Sequence, residues 1–290
     1  MLTKEQLHEK IAAGIRFLDG ATGSNLQKAG MPKGCCTEDW ILANPEALEA
    51  LQRAYAEAGS QIIYAPTFQA QPIALARVCL DRQTEAVNAR LAALSRRAAP
   101  GCVIAGDLTT LAAFCDSWDD ANFDLLVANY RRQIHGLIDG GVDILVGETL
   151  LYQQEAEAIL CAAELEGAGA VMYSFTMHSG GSLFSGADAG PVLRELEEAG
   201  AAAVGFNCVA ADMMTPYLVS KLRRYAKGPL LCKPNAGNPV IGMDGLASYS
   251  MTPAEFAGIM AQCANNGATL LGGCCGTDPS FIAALPRHTL

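Results

Sequence analysis

One beat runs the length of this chain: a helical stretch, a glycine, then a short apolar run. The steps Gly141-Val142, Gly169-Ala170, Gly200-Ala201 and Gly267-Ala268 each stop a helical pattern just before such a run. Apolar runs at 16–19, 61–65, 103–107, 143–148, 170–176, 202–208, 230–234 and 269–274 make eight strand candidates. Their cores, such as Ile62-Ile63-Tyr64 and Ile144-Leu145-Val146, lack the polar alternation of a half-exposed strand. They are therefore expected to be covered on both faces. Helix ends are readable as well. Asn44-Pro45-Glu46 opens one helix that Gly59 closes, and Thr252-Pro253-Ala254-Glu255 has the capping-box pattern. Eight repeated units predict an α/β chain, a (β/α)8 TIM barrel forming a single domain over 1–290. An open doubly wound sheet is the alternative, but no Gly-x-Gly-x-x-Gly follows the first run to support a dinucleotide site. Segments 177–188 and 235–250 read as long loops on the catalytic face.

A barrel makes a statement about position, because the C-terminal ends of its strands converge on one mouth. The first run ends in Asp19-Gly20, the third in Gly106-Asp107 and the fourth in Gly147-Glu148-Thr149. The sixth ends in Asn207-Cys208, the seventh in Lys233-Pro234-Asn235 and the eighth in Cys274-Cys275. The interiors of the same runs are almost free of polar residues, so chemistry is expected at this mouth.

Eleven cysteines are many for a chain of 290 residues. In a reducing compartment they raise the question of metal or redox chemistry before that of disulfides. Cys79, Cys102, Cys115, Cys161, Cys232 and Cys263 stand singly among apolar residues and are expected to fill the core. Cys208, Cys274 and Cys275 fall at two strand ends, where three thiolates can hold Zn²⁺ and leave a fourth position open. Gly272, Gly273 and Gly276 flank the adjacent pair and let the backbone bend so that both sulfurs meet one ion. Buried or redox cysteines remain the competing reading. Cys35-Cys36 is a second adjacent pair, read as a loop feature. Of the scattered histidines His8, His135, His178 and His288, only His178 lies in a mouth loop. Asp19 and Glu148 are placed to grip an ammonium, or else merely to cap the following segment. The glycine-containing stretch Gly20, Ala21, Thr22, Gly23 and Ser24 offers backbone N–H groups to a carboxylate. Together these features describe a site for a small zwitterion bearing a thiol.

The bulk numbers exclude other classes. A net charge of −10 argues against a nucleic-acid partner. No apolar run reaches the roughly 18 residues that cross a bilayer, and the first residues have no signal-peptide character. The expectation is a cytoplasmic protein with no membrane contact.

The motifs resemble those of the homocysteine S-methyltransferase family, nearest to the homocysteine-binding module of cobalamin-dependent methionine synthase. The resemblance rests on Leu18-Asp19-Gly20-Ala21-Thr22-Gly23-Ser24, on 141–149, on Gly205-Phe206-Asn207-Cys208, on Pro234-Asn235-Ala236-Gly237 and on Gly272-Gly273-Cys274-Cys275-Gly276-Thr277. It implies one zinc per chain held by Cys208, Cys274 and Cys275. It also implies Asp19 and Glu148 on the homocysteine amino group, the 20–24 loop on its carboxylate, and Asn207 and Asn235 beside the substrate. The implied activity is methyl transfer to the homocysteine thiol, giving methionine. No Asp-x-His-x-x-Gly corrinoid motif occurs in the 290 residues, so a corrinoid is expected only on a partner, a separate methyl-corrinoid protein. Donors of the S-methylmethionine or betaine type are the alternative, as is a non-catalytic subunit that binds homocysteine or zinc. Two stretches depart from the family pattern. Tyr64-Ala65-Pro66-Thr67 stands where an Asn-Thr step is usual, and Gly106-Asp107-Leu108-Thr109 lacks the Gly-Pro element.

Overall fold

The computed structural model describes residues 1–14, 16–115, 117, 119–242 and 247–287. In it the apolar runs become parallel strands in chain order. Strands β1 (Ile62–Tyr64), β2 (Val103–Thr109), β3 (Ile144–Leu150), β4 (Val171–Phe175), β5 (Ala203–Ala210) and β6 (Leu230–Asn235) come first. An exposed antiparallel hairpin follows, β7 (Val240–Ile241) with β8 (Ala247–Ser248), and then β9 (Leu270–Leu271). The main sheet has seven strands in the order β1-β2-β3-β4-β5-β6-β9, and every neighbouring pair is parallel.

Two residues join its edges. Phe17 bridges to Leu271 and Leu18 to Ile62, both in parallel sense. Leu18 N donates to Leu271 O at 2.8 Å, and Ile62 N donates to Phe17 O at 3.1 Å. The first predicted strand is thus a two-residue stave that closes the barrel. The last predicted strand is shorter than expected too, because its ladder stops where Gly272-Gly273 begins. Segment 235–250, expected as a loop, carries the hairpin, and residues 243–246 within it lie outside the described ones.

Outer helices follow the staves: Pro45–Ala58, Thr84–Ala98, Asp120–Asp139, Gln153–Leu165, Ala189–Glu198, Thr215–Arg223, Pro253–Asn265 and Pro279–Ala283. Gly59 closes the first in the left-handed conformation, at φ +103°. Asn44 does not cap that helix through its side chain; its Nδ2 donates back to Trp40 O. Among the described residues no helix is long and apolar enough to cross a membrane.

The strand residues divide into two apolar sets. Ile63, Ile104, Leu145, Tyr173, Val204, Phe206 and Cys232 pack outward under the helices. Leu18, Ile62, Tyr64, Val103, Ala105, Ile144, Val146, Met172, Ala203, Leu231 and Leu270 fill the barrel interior. This is the period-two alternation of strands wrapped around an axis. The N-terminal helix Lys4–Ala12 supplies Leu7 and Ile11 to the interior set. Leu2 bonds to the starts of two strands, accepting from Ala170 N at 2.8 Å and donating to Asp143 O at 2.7 Å. The N-terminal helix plugs the base of the barrel interior, which opens at the C-terminal mouth.

Leu7 is fully buried in this plug. Leu7→Ala is expected to lower stability by about 2–5 kcal/mol. In urea its unfolding midpoint should fall while the slope stays unchanged. An unaltered midpoint would show that the helix does not seal the barrel.

Candidate metal centre

Carrying the inward alternation one step further sets the composition of the mouth. After Val103 and Ala105 comes Asp107; after Ile144 and Val146, Glu148; after Leu231, Lys233; after Met172, Ser174; and after Ala203 and Gly205, Asn207. Beneath this layer the barrel is apolar. In it, charged and polar side chains face one another in a space of about 340 Å³ whose wall includes Asp19, Asp107, Glu148, Lys233, Cys208 and Cys274.

Lys233 is the centre of the charge arrangement. Its Nζ donates to Glu148 Oε1 at 2.9 Å, stands 3.4 Å from Asp19 Oδ1, and lies 4.5 Å from the centroid of the Tyr64 ring. Asp19 Oδ2 accepts from Tyr64 N at 2.8 Å, which fixes the carboxyl. Burial works against the Lys233 charge, but Glu148 and Asp19 outweigh it and hold the ammonium above its ordinary range. Burial raises the Asp19 carboxyl to about 6, against the pull of Lys233 and of the Tyr64 N–H. Burial raises Glu148 too, with Lys233 opposing. Asp107 is pushed well above the carboxylate range by burial and then by Glu148. Lys233 was legible only as one polar strand end among several, because a lone lysine closing an apolar run carries no sign of what it faces.

The sulfurs of Cys208, Cys274 and Cys275 all lie within 4.8 Å of one another. Two backbone features bring them together. Cys208 adopts φ +57°, which turns its side chain out of the β5 alternation, and Thr149 at the end of β3 does the same at φ +59°. Such conformations cost energy in non-glycine residues and need outside support. Asn207 supplies it. Its Oδ1 accepts from Thr149 N and from Ser174 Oγ, each at 2.9 Å, and its Nδ2 donates to Thr149 Oγ1 at 2.7 Å and reaches Cys274 Sγ at 3.8 Å. At the other strand end, Gly276 turns at φ +83°, where a Cβ would strike the Tyr249 ring at 2.3 Å. Thr277 Oγ1 then donates to Cys274 O at 2.8 Å and accepts from Ala21 N at 3.2 Å, tying the cysteine turn to the 20–24 loop.

The three sulfurs share their protons unequally. Hydrogen bonds from Cys208 and then Cys274 draw Cys275 down to about 3, while Cys208 and Cys274 are held above the ordinary thiol range. The group sheds one proton readily and resists losing the rest. A cation among them is the electrostatic condition for three thiolates.

The other candidates distribute as follows. Gly20, Ala21, Thr22, Gly23 and Ser24 line the same cavity as Asp19 and Glu148. Asn207 is buried with its side chain engaged as above, and buried Asn235 stands at the end of β6, outside that wall. Cys232 and Cys263 are in the core as expected, and Cys102, Cys115 and Cys161 are half-buried. Cys79 is not core: it is exposed, in a turn at φ +59° after Val78. Cys35 is exposed, and Cys36 Sγ donates at 3.4 Å to Oε2 of Glu38, a buried residue of the cavity wall to which neither cysteine of this pair belongs. His178 is exposed, its ring 5.0 Å from that of Phe184 and outside the cavity wall. His288 lies outside the described residues.

The sequence profile of homocysteine S-methyltransferases matches residues 16–289. The chain belongs to the homocysteine S-methyltransferase family. The homocysteine S-methyltransferase of Escherichia coli is 28% identical over 302 residues, covering 95% of each chain. The methionine synthase of Mycobacterium leprae is 28% identical over 300 residues, which are 95% of this chain and 24% of that protein. The chain thus spans about a quarter of the mycobacterial enzyme. The crystal structure of the E. coli homocysteine methyltransferase MmuM in its metallated form superimposes with a TM-score of 0.80 at 27% identity, covering 93% of this chain and 95% of that one. The apo form of the same protein gives 0.71. Family membership makes this an enzyme fold of the homocysteine methyltransferase kind.

The Asp19 carboxyl has a pH signature. Its folded value, about 6, exceeds the ordinary 3.8, so the neutral form favours folding. That contribution is complete below about pH 4 and is lost as the pH rises through 6. Asp19→Asn cannot ionise, so its stability should fall less than the parent's between these pH values. Chemical denaturation across the window measures this, and parallel curves would contradict it.

Proposed function

We propose that this chain, as a homocysteine-binding barrel over its whole length, transfers a methyl group to the homocysteine sulfur to give methionine. One zinc ion is held by Cys208, Cys274 and Cys275, and a separate methyl-corrinoid protein delivers the methyl group. The observation that carries the reading is the meeting of three cysteine sulfurs within 4.8 Å, on the wall of a cavity that also holds buried carboxyls. The donor set fits zinc, since three soft thiolates leave one tetrahedral position for substrate. The existence of a metallated form of the similar protein MmuM supports a metal here. When bound, zinc supplies the Lewis acidity that brings a substrate thiol to its thiolate form at neutral pH.

The rest falls to the chain's own residues. Asn207 holds Cys274 and the turn at Thr149, so the sulfurs need no rearrangement when substrate arrives. The helix Gly23–Lys28 has no side-chain cap at its start, and Ser24 Oγ is buried without a partner. With Ala21 N given to Thr277, the Gly23 and Ser24 end of the loop is left for the substrate carboxylate. Ala65, Pro66 and Phe68 give the cavity an apolar wall for the methylene chain. The acidic side formed by Asp19, Asp107 and Glu148 receives the amino group.

The rim favours a donor borne on a protein. Phe184, Met213, Met214, Tyr217, Val240 and Ile241 are exposed apolar side chains on segments that follow β4, β5 and β6, at the mouth end of the barrel. A small free donor requires no such rim, whereas a docking protein does.

Cys208→Ser, Cys274→Ser and Cys275→Ser should each lose the one zinc per chain expected in the parent, measured by elemental analysis. Methyl transfer should fall at least ~100-fold with the circular dichroism unchanged. Zinc-loaded protein is expected to form methionine from homocysteine with a methyl-corrinoid protein. Turnover with free S-methylmethionine and never with a methyl-corrinoid protein would overturn the donor and leave the acceptor standing.

A further inference from the structure

In this chain the place between Asp19 and Glu148 already holds a cation of the protein's own. We infer that the ammonium of the acceptor is bound instead by Asp107, together with the oxygen of Glu148 that Lys233 leaves uncommitted. The inference rests on the homocysteine reading above and deepens it by naming the residue that selects an amino-acid thiol.

Lys233 cannot step aside for substrate. Its side chain is 3% exposed, its ammonium is 2.9 Å from Glu148 Oε1 and 3.4 Å from Asp19 Oδ1, and the Tyr64 ring lies against it. Its stem runs beside Gly272, where an added Cβ would stand 3.2 Å from Lys233 Cγ. Moving this ammonium would leave two buried carboxyls facing each other without a counter-charge, which is strongly unfavourable.

Asp107 has the opposite character: its backbone is held fast and its carboxyl is not. Thr67 Oγ1 accepts from Asp107 N at 3.1 Å and donates to Asp107 O at 2.9 Å, and Gln133 Nε2 donates to the same carbonyl at 3.1 Å. These neighbouring donors are spent on the main chain. Asp107 Oδ1 is left buried and without a hydrogen-bond partner, on the wall of the cavity. A buried carboxyl oxygen in that condition is costly and calls for a donor from outside the chain. The charges agree. Four carboxyls line the cavity, and Glu38 is already engaged, accepting from Gln69 N at 2.7 Å and from Cys36 Sγ at 3.4 Å. Asp19, Asp107 and Glu148 then stand around one ammonium, so the cavity has acidic capacity for a second cation. Lys233 and Asp107 thus form a compensating pair: the lysine fills the first cation place, and the aspartate opens another.

The test is calorimetric titration of the zinc-loaded chain with homocysteine and with 4-mercaptobutyrate, which differs from it only in lacking the amino group. The parent should prefer homocysteine by about tenfold or more. In Asp107→Asn this preference should disappear, homocysteine weakening by about tenfold while 4-mercaptobutyrate changes less than about twofold. Retained binding of 4-mercaptobutyrate shows that the variant is folded, and Asp107→Glu should restore part of the preference. Adding Lys233→Met to Asp107→Asn vacates the place between Asp19 and Glu148, and the preference for homocysteine should return. Asp107→Asn that keeps the full preference would overturn the assignment. A parent that binds 4-mercaptobutyrate as well as homocysteine would overturn ammonium recognition but keep a thiol site. A parent that binds neither would overturn the homocysteine reading itself.

Discussion

Inside a closed parallel barrel every second side chain points at the axis, and the last inward layer has nothing above it but the mouth. In this chain that layer is charged. Asp107, Glu148 and Lys233 stand one alternation beyond Ala105, Val146 and Leu231, with Asp19 reaching in from the closing stave. Burying such groups singly is prohibitive, so they are arranged to compensate one another. The Lys233 ammonium between Glu148 and Asp19 is the contact on which the arrangement turns. It fixes two carboxyls, occupies a cation place, and so determines which acidic oxygen remains for a ligand.

The sulfur trio depends on a different constraint. Adjacent cysteines on a regular strand would point to opposite faces, and Cys208 in regular β5 geometry would not be free to turn toward them. The chain meets this with left-handed residues at two strand ends and a glycine turn after Cys275. Asn207 links these features: one amide supports the Thr149 conformation and reaches Cys274 Sγ. The charge cluster and the sulfur cluster face one cavity, which is the arrangement the proposed amino-acid thiol substrate requires.

Much of this was legible in the sequence. The helix–glycine–strand beat predicted the barrel, and the polar strand ends predicted the mouth. What was lost was lost for physical reasons. The closing stave at Phe17-Leu18 is only two residues long, because a barrel edge needs only enough backbone to bridge its neighbours. The hairpin in 235–250 carries no buried face, so its strands left no apolar period to read. Cys79 sits among apolar residues in sequence, yet its turn conformation puts it at the surface. The burial partners of Lys233 and the unpaired oxygen of Asp107 come from residues far apart in the chain. No local pattern reports such contacts.

In the proposed reaction Cys208, Cys274 and Cys275 hold one zinc whose remaining position takes the substrate sulfur. X-ray absorption at the zinc edge, recorded on the loaded protein before and after homocysteine, tests it most directly. Three sulfur neighbours and one lighter atom are expected in the free protein, changing to four sulfurs with homocysteine. A zinc shell of nitrogen and oxygen, or three sulfurs that stay unchanged at saturating homocysteine, would contradict it.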